Sequence, residues 1–328
     1  LGLQVYVYLL NAEFYQDALK LKWRNLVEKT HNHSLKLTML KILLTGITGQ
    51  LGCELEKVLS KEWIIFPVSR KEMDLSDEST IRRTIRDKNP DLIINPAAYT
   101  AVDKAEVEKE MAFVINEKAP RIIAEEAKAL NIPLIHFSTD FVFDGKKSTP
   151  YLETDRPSPK SIYGLSKLEG EKAIQEVDGD YLIFRTAWVY SRKGNNFRNT
   201  IRRLAKKHPE LNIINDQVGS PTTTTYISLV LKKVIELLYR EKEIPFEDFK
   251  GIYHLTCGGT CSWYDFAEVI IKDLFQHEEG HCTLNPISTK DYTTAATRPK
   301  YSVLNNQKLK QIFGLEQEQW HDCFQEMG

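Results

Sequence analysis

The stretch that most limits how this chain can fold is an apolar run, Met39 to Thr45, that ends in Gly46-Ile47-Thr48-Gly49-Gln50-Leu51-Gly52 and passes into a helical segment from Cys53 to Ser60. Strand, glycine turn and helix in this order make a dinucleotide site. The glycines let the backbone turn tightly and approach a pyrophosphate, whose charge then rests on the unpaired amides of the helix N-terminus. The spacing is G-x-x-G-x-x-G rather than G-x-G-x-x-G, and many glycine turns before helices only turn. Its place directly after a buried strand predicts that Gly46 to Gly52 hold a cofactor.

The same alternation continues. Trp63 to Val68, Asp91 to Asn95, Ile132 to Ser138 and Tyr181 to Thr186 read as strands; Ala101 to Leu130, interrupted near Asn116, and a segment from near Ser161 to about Val177 read as helices. Strands alternating with helices predict an α/β fold, a Rossmann-type doubly wound parallel sheet. After the second strand comes Ser69-Arg70, where an arginine accommodates a 2′-phosphate and an acid would hold a ribose hydroxyl. Arg70 therefore favours NADP, against the plainer reading of a solvated arginine beside Lys71 and Glu72. Asp74-Leu75 is expected to lead into the third strand beside the adenine. The small residues of Pro96-Ala97-Ala98-Tyr99-Thr100 leave room for a cofactor at a strand end, and Val102 to Glu106 start a helix at the same edge.

The candidate chemistry lies in Tyr163-Gly164-Leu165-Ser166-Lys167. Residues i and i+4 share one helix face, and an ammonium beside a phenol favours the phenolate, so Lys167 is expected to lower the Tyr163 pKa and make it a better acid. A bare Tyr-x-x-x-Lys is usually only a solvated helix face. A hydroxyl at the end of the fourth strand, Thr139, can hydrogen-bond a substrate oxygen as it gains charge; alternatively Ser138, Thr139 and Asp140 serve turn amides. The residues put forward as catalytic are Tyr163, Lys167, Thr139 and Asp140. His136, within the strand, reads as a packed core histidine. Lys146 to Lys160, with Pro150, Pro157 and Pro159, reads as a lid or rim. Beyond Trp188 the rhythm changes: a basic helix follows Phe197, the loop Asn215 to Thr222 is rich in groups able to read a polar ligand, Thr223 to Leu238 and Ser262 to Phe275 are helical, Ile252 to Thr256 is a strand, and Arg298 sits in a polar tail able to reach a phosphate.

With 328 residues there is room for a large nucleotide domain and a smaller second lobe, and 44 basic against 45 acidic residues argue against a nucleic-acid or membrane partner recruited by bulk charge. Five cysteines without C-x-x-C spacing suggest neither a disulfide framework nor a zinc ribbon and fit a reducing cytoplasm; Cys257, Cys261, His281 and Cys282 read as ordinary thiols and a loop histidine rather than a metal site. Residues 1–38 look foreign to the rest of the chain and are read as an upstream extension that is not native, or else as a docking helix with apolar positions Phe14, Ala18, Leu21, Leu26 and Val27.

Taken together, TGITGQLG, YTAVDKAE, STDFVFDG, YGLSKLEGE, RTAWVY, GNNF and INDQVGSPT resemble, in order and spacing, the dTDP-4-dehydrorhamnose reductase family of extended short-chain dehydrogenases/reductases, over about Met39 to Trp320. The resemblance implies reduction of the 4-keto group of dTDP-4-dehydro-L-rhamnose by NADPH or NADH, in the supply of a cell-surface polysaccharide precursor. It implies Tyr163 as proton donor, Lys167 as the residue that orients the nicotinamide ribose, and Thr139 as their hydroxyl partner. Gly49, Gln50 and Leu51 would touch the pyrophosphate, Asp74 and Leu75 the adenine side, and Ala98, Tyr99 and Thr100 the ribose and nicotinamide. Thr100, Val102, Phe141 and Trp188 would lie near the sugar. The family's usual tyrosine is Phe141 here, which removes a hydroxyl near the substrate. Some members form a dimer through magnesium held by glutamates; Glu54 matches one such position, but Lys207 follows Leu204-Ala205-Lys206, and no metal is predicted. The expected division is 39–186, with 223–256 returning to it, for the cofactor, and 187–222 with 257–328 for the substrate. A homodimer is compatible with the resemblance. Two other readings share the architecture: a nucleotide-sugar epimerase or dehydratase, and a nonenzymatic subunit resembling the regulatory beta subunit of methionine adenosyltransferase.

Overall fold

Three runs of the chain, ILL, LIIN and YLIF, are apolar on both faces, and such strands belong inside a parallel sheet covered by helices. The computed structural model describes residues 40–240, 245–277 and 279–327. In it β1 (Lys41–Leu44), β2 (Ile64–Pro67), β3 (Leu92–Asn95), β4 (Leu134–Thr139), β5 (Tyr181–Thr186) and β6 (Gly251–His254) form one parallel sheet in the order β6-β5-β4-β3-β1-β2. β1 lies between β2 and β3, so the strand order reverses beside it and a crevice opens at the carboxyl ends there. The expectations for residues 1–38 lie outside the described residues.

Strand alternation sends Leu43, Ile93, Leu134 and Ile183 to one face. There they join Ile81 and Ile85 of α2 (Glu78–Lys88), Ile122 and Ile123 of α3 (Ala119–Leu130) and Ile174 of α4 (Ile162–Val177) in one buried cluster. Away from this cluster, α1 (Gln50–Leu59) packs on α5 (Thr224–Arg240). Helix α2 corrects the expectation that Asp74-Leu75 leads into the third strand. Its sequence, ESTIRRTIRDK, buries only Ile81, Thr84 and Ile85, too thin a stripe to stand out. Asp77 starts it by accepting from the amides of Ser79 and Thr80, and Arg82 ties it to Glu125 and Glu126 of α3.

The segment predicted as one helix over Ala101 to Leu130 is Val102–Ala105, Lys109–Phe113, a π-helical turn Val114–Lys118 and α3. The chain leaves the helix at Glu106–Glu108, earlier than the interruption expected near Asn116, where the helix only widens into the π turn. The buried Asn116 side chain receives the Tyr99 amide (2.8 Å) and donates to the Tyr99 carbonyl (3.1 Å) and Ser166 Oγ (3.0 Å), joining the strand-end loop to α4.

Short ladders knit the remainder. Glu210–Ile214 pairs with Thr283–Ile287, Val218–Gly219 with Cys261–Ser262, and Val189–Tyr190 with Thr222–Thr223. None of these elements enters the six-stranded sheet. Among the described residues no helix is long and apolar enough to cross a membrane, and no group of three or more His, Cys, Asp or Glu is placed to hold a metal ion.

Candidate active site

A cavity of about 870 Å³ opens at the carboxyl ends of the strands. Gly46, Gly49, Gln50, Leu51 and Gly52 line it from the glycine turn, Arg70, Asp74 and Leu75 from beyond β2, and Ala98, Tyr99, Thr100 and Val102 from beyond β3. Thr139, Asp140 and Phe141 after β4, Tyr163 and Lys167 on α4, and Trp188 after β5 complete the same wall. Elements up to 218 residues apart in sequence, from Thr45 to Trp263, thus meet at one crevice.

The glycine turn is built for close approach. A Cβ on Gly52 would stand 2.2 Å from the Gly46 carbonyl oxygen, so α1 is pressed against its own turn as only glycine allows. Helix α1 begins at Gly49 with no side-chain cap. The amides of its first turn have no intrahelical acceptors and face the cavity lining, which fits a pyrophosphate. Arg70 is exposed and makes a 3.5 Å contact to Asp74, whose other oxygen caps the Ser76 amide.

Helix α4 places the phenol. Ser161 Oγ accepts from the Gly164 amide (3.1 Å), Glu106 accepts from the Ile162 amide (2.8 Å), and a Cβ on Gly164 would meet the Phe141 carbonyl at 2.2 Å. The helix start therefore sits directly on the turn that carries Thr139. Tyr163 lines the cavity with Thr139 and meets the Phe141 ring edge-on at 5.5 Å. Burial pushes the Tyr163 pKa up to about 12; the Thr139 hydrogen bond opposes the rise and the Asp140 charge adds to it. This corrects the expectation that Lys167 lowers it. The Lys167 ammonium is turned to strand β4 instead, donating to the Phe137 carbonyl (2.7 Å) and meeting His136 Nε2 (3.1 Å). Burial brings Lys167 down to about 8 against the favourable charge of Glu171. Asp140 is raised to about 6 by burial, although Thr139 Oγ1 donates to its Oδ1 (3.0 Å), and among the described residues its Oδ2 has no hydrogen-bond partner.

Trp188 has φ +47°, a costly backbone state for a bulky residue. Its indole stacks on Trp263 at 3.4 Å and 4°, and the space it fills exists because position 219 is glycine, whose Cβ would lie 2.4 Å from the ring.

The family model described as the RmlD substrate binding domain matches residues 40–327. A dTDP-4-dehydrorhamnose reductase of Burkholderia thailandensis is 41% identical over 86% of this chain and 95% of its own length, and that of Escherichia coli K12 is 41% identical over 86% and 94%. The chain belongs to the dTDP-4-dehydrorhamnose reductase family. Among solved structures, the Bacillus anthracis reductase in complex with NADP superposes with a TM-score of 0.80 at 34% identity, covering 88% of this chain and 99% of that one. The Clostridium acetobutylicum reductase gives 0.80 at 38%, over 88% and 98%. A Thermus thermophilus UDP-glucose 4-epimerase (TM-score 0.66, 17% identity, 82% and 92% coverage) shares the fold alone.

Some of the polar residues singled out in the sequence of this family member lie elsewhere. Arg298 is bound to Asp103 (2.6 Å), and the loop Asn215 to Thr222 turns its side chains to the protein: Asp216 to Thr289 and Lys300, Ser220 to the Gly259 carbonyl. Neither is poised for a ligand as expected. Sequence reading missed Trp263, Glu171 and the contact of His136 with Lys167. A tryptophan heading a helix at Trp263 was visible; its stacking partner 75 residues earlier was not.

Proposed function

We propose that this chain reduces the 4-keto group of dTDP-4-dehydro-L-rhamnose to dTDP-L-rhamnose. NADPH, or NADH in its place, supplies the hydride. The observation that carries the reading is the meeting of Tyr163, Thr139 and Lys167 in the cavity that the uncapped glycine turn also lines. The amides of Gln50, Leu51 and Gly52 would hold the pyrophosphate, and Arg70 the 2′-phosphate. Tyr163 gives its proton to the ketone oxygen as that oxygen gains charge, Thr139 steadies the same oxygen, and the Lys167 ammonium, held by the Phe137 carbonyl and His136, keeps a third N–H for the nicotinamide ribose. Trp188, Val102 and Phe141 form the apolar wall for the deoxysugar. Residues 39–186 with 223–256 serve the cofactor, and 187–222 with 257–328 the sugar nucleotide; the family's activity, sheet membership of β6 and the ladders between the latter two segments support this division.

The test is NADPH oxidation followed by absorbance, with the keto-sugar generated in place by the preceding enzymes. Stoichiometric oxidation with appearance of dTDP-L-rhamnose supports the proposal; cofactor binding without oxidation moves the substrate to another nucleotide sugar or the protein to a nonenzymatic role. In the same assay Arg70→Ala is expected to raise the KM for NADPH about tenfold, the worth of one charge-assisted contact, and leave that for NADH unchanged. Equal effects on both cofactors would remove Arg70 from the 2′-phosphate.

A further inference from the structure

His136 is fully buried in β4, and both of its ring nitrogens meet polar side chains. Nε2 lies 3.1 Å from Lys167 Nζ, and Nδ1 lies 3.2 Å from Asn95 Nδ2 on β3. Asn95 Oδ1 in turn accepts from Thr45 Oγ1 (2.6 Å), at the end of β1. Lys167 and Thr45 both line the cavity, so the chain of contacts runs behind it from the active helix to the base of the glycine turn. We infer that His136 is a positioning residue for Lys167, its Nε2 accepting one ammonium N–H. The inference rests on the reductase reading for its kinetic consequence, but not for its structural one.

The hydrogen-bond count supports it. An ammonium has three donors. The Phe137 carbonyl and His136 take two, leaving one for the cavity. Nε2 accepts only when the imidazole is neutral and Nδ1 carries the proton, and this requires the Asn95 carboxamide to turn over, so that Oδ1 rather than Nδ2 faces Nδ1 and Nδ2 donates to Thr45 Oγ1. Burial and the Lys167 charge keep His136 well below its ordinary pKa, which preserves the neutral form. Of the other charged groups around Lys167, Glu171 on the same helix favours its charge, and Arg185 of β5 is bound to Glu171. Tyr163, one turn earlier, stays neutral. Loss of the His136 acceptor therefore leaves a buried ammonium with one strand contact fewer, and its pKa falls further.

His136→Leu is expected to move the alkaline limb of the kcat/KM profile about one pH unit to lower pH and to lower kcat near neutrality on the order of tenfold, with cofactor affinity and melting temperature as checks on folding. His136→Gln, whose side-chain oxygen reaches about as far as Nε2, restores most of the limb. A purely structural histidine would change stability and KM and leave the limb in place. Independently of turnover, ¹⁵N spectra of histidine-labelled protein without ligands, with His136 assigned through the Gln variant, are expected to show the Nδ1–H tautomer unchanged from pH 6 to 8. An unmoved limb in folded His136→Leu, or an Nε2–H tautomer, overturns the inference. A wild type that does not oxidise NADPH overturns the proposed activity instead, and the spectra still decide the role of His136.

Discussion

Tyr163→Phe is expected to lower kcat about 10²- to 10⁴-fold, the usual worth of a positioned acid, and to leave NADPH affinity within a few-fold of wild type. The substitution removes one oxygen and keeps the ring that packs edge-on against Phe141. Burial raises the Tyr163 pKa to about 12, so the phenol carries its proton throughout the range in which the enzyme is assayed. A raised pKa keeps the donor form populated up to high pH, and activity lost between pH 7 and 9 belongs to Lys167, at about 8, rather than to the tyrosine. Steady-state kinetics with a fluorescence titration of NADPH separates the two quantities. Undiminished kcat in the variant would move proton donation to Asp140, the other cavity-lining acid held partly protonated near neutrality.

What was readable from the sequence is what local chemistry decides. The apolar run before Gly46, the glycine turn, the capping Ser161 and the i, i+4 pair on α4 all depend on near neighbours, and the order of such pieces already implies the sheet. Helix α2 escaped notice because its polar surface is offset by ion pairs to α3, made across some 40 residues of chain. The direction of the Tyr163 shift escaped for a related reason. Spacing places Lys167 one turn from the phenol but cannot say that its ammonium is occupied by a carbonyl and an imidazole of β4, about 30 residues earlier. Buried polar side chains in otherwise apolar strands, His136 and Arg185, were the available signal, since such groups persist inside a sheet only when something meets them.

Arg185 gives the second large effect. Its guanidinium grips Glu171 through Nε (2.8 Å) and Nη2 (2.6 Å), Ser138 Oγ donates to the same carboxylate (2.5 Å), and the two charged residues are 2% and 1% exposed. Glu171→Ala strands the guanidinium in the sheet and is expected to cost about 3–5 kcal/mol of stability, on the order of 10 °C in the melting temperature. Removing both charges, with Glu171→Met and Arg185→Met together, is expected to recover most of that loss, because the penalty lies in the unpaired ion and not in the missing bridge. The pair also acts on the chemistry. Glu171 stands one helical turn from Lys167 and favours its charge, so the alkaline limb of activity should move to lower pH in the single variant and remain there in the double one. Melting curves and pH–rate profiles on the two proteins separate these roles: stability that returns without the limb assigns Glu171 to both, whereas a limb that never moves confines it to holding Arg185.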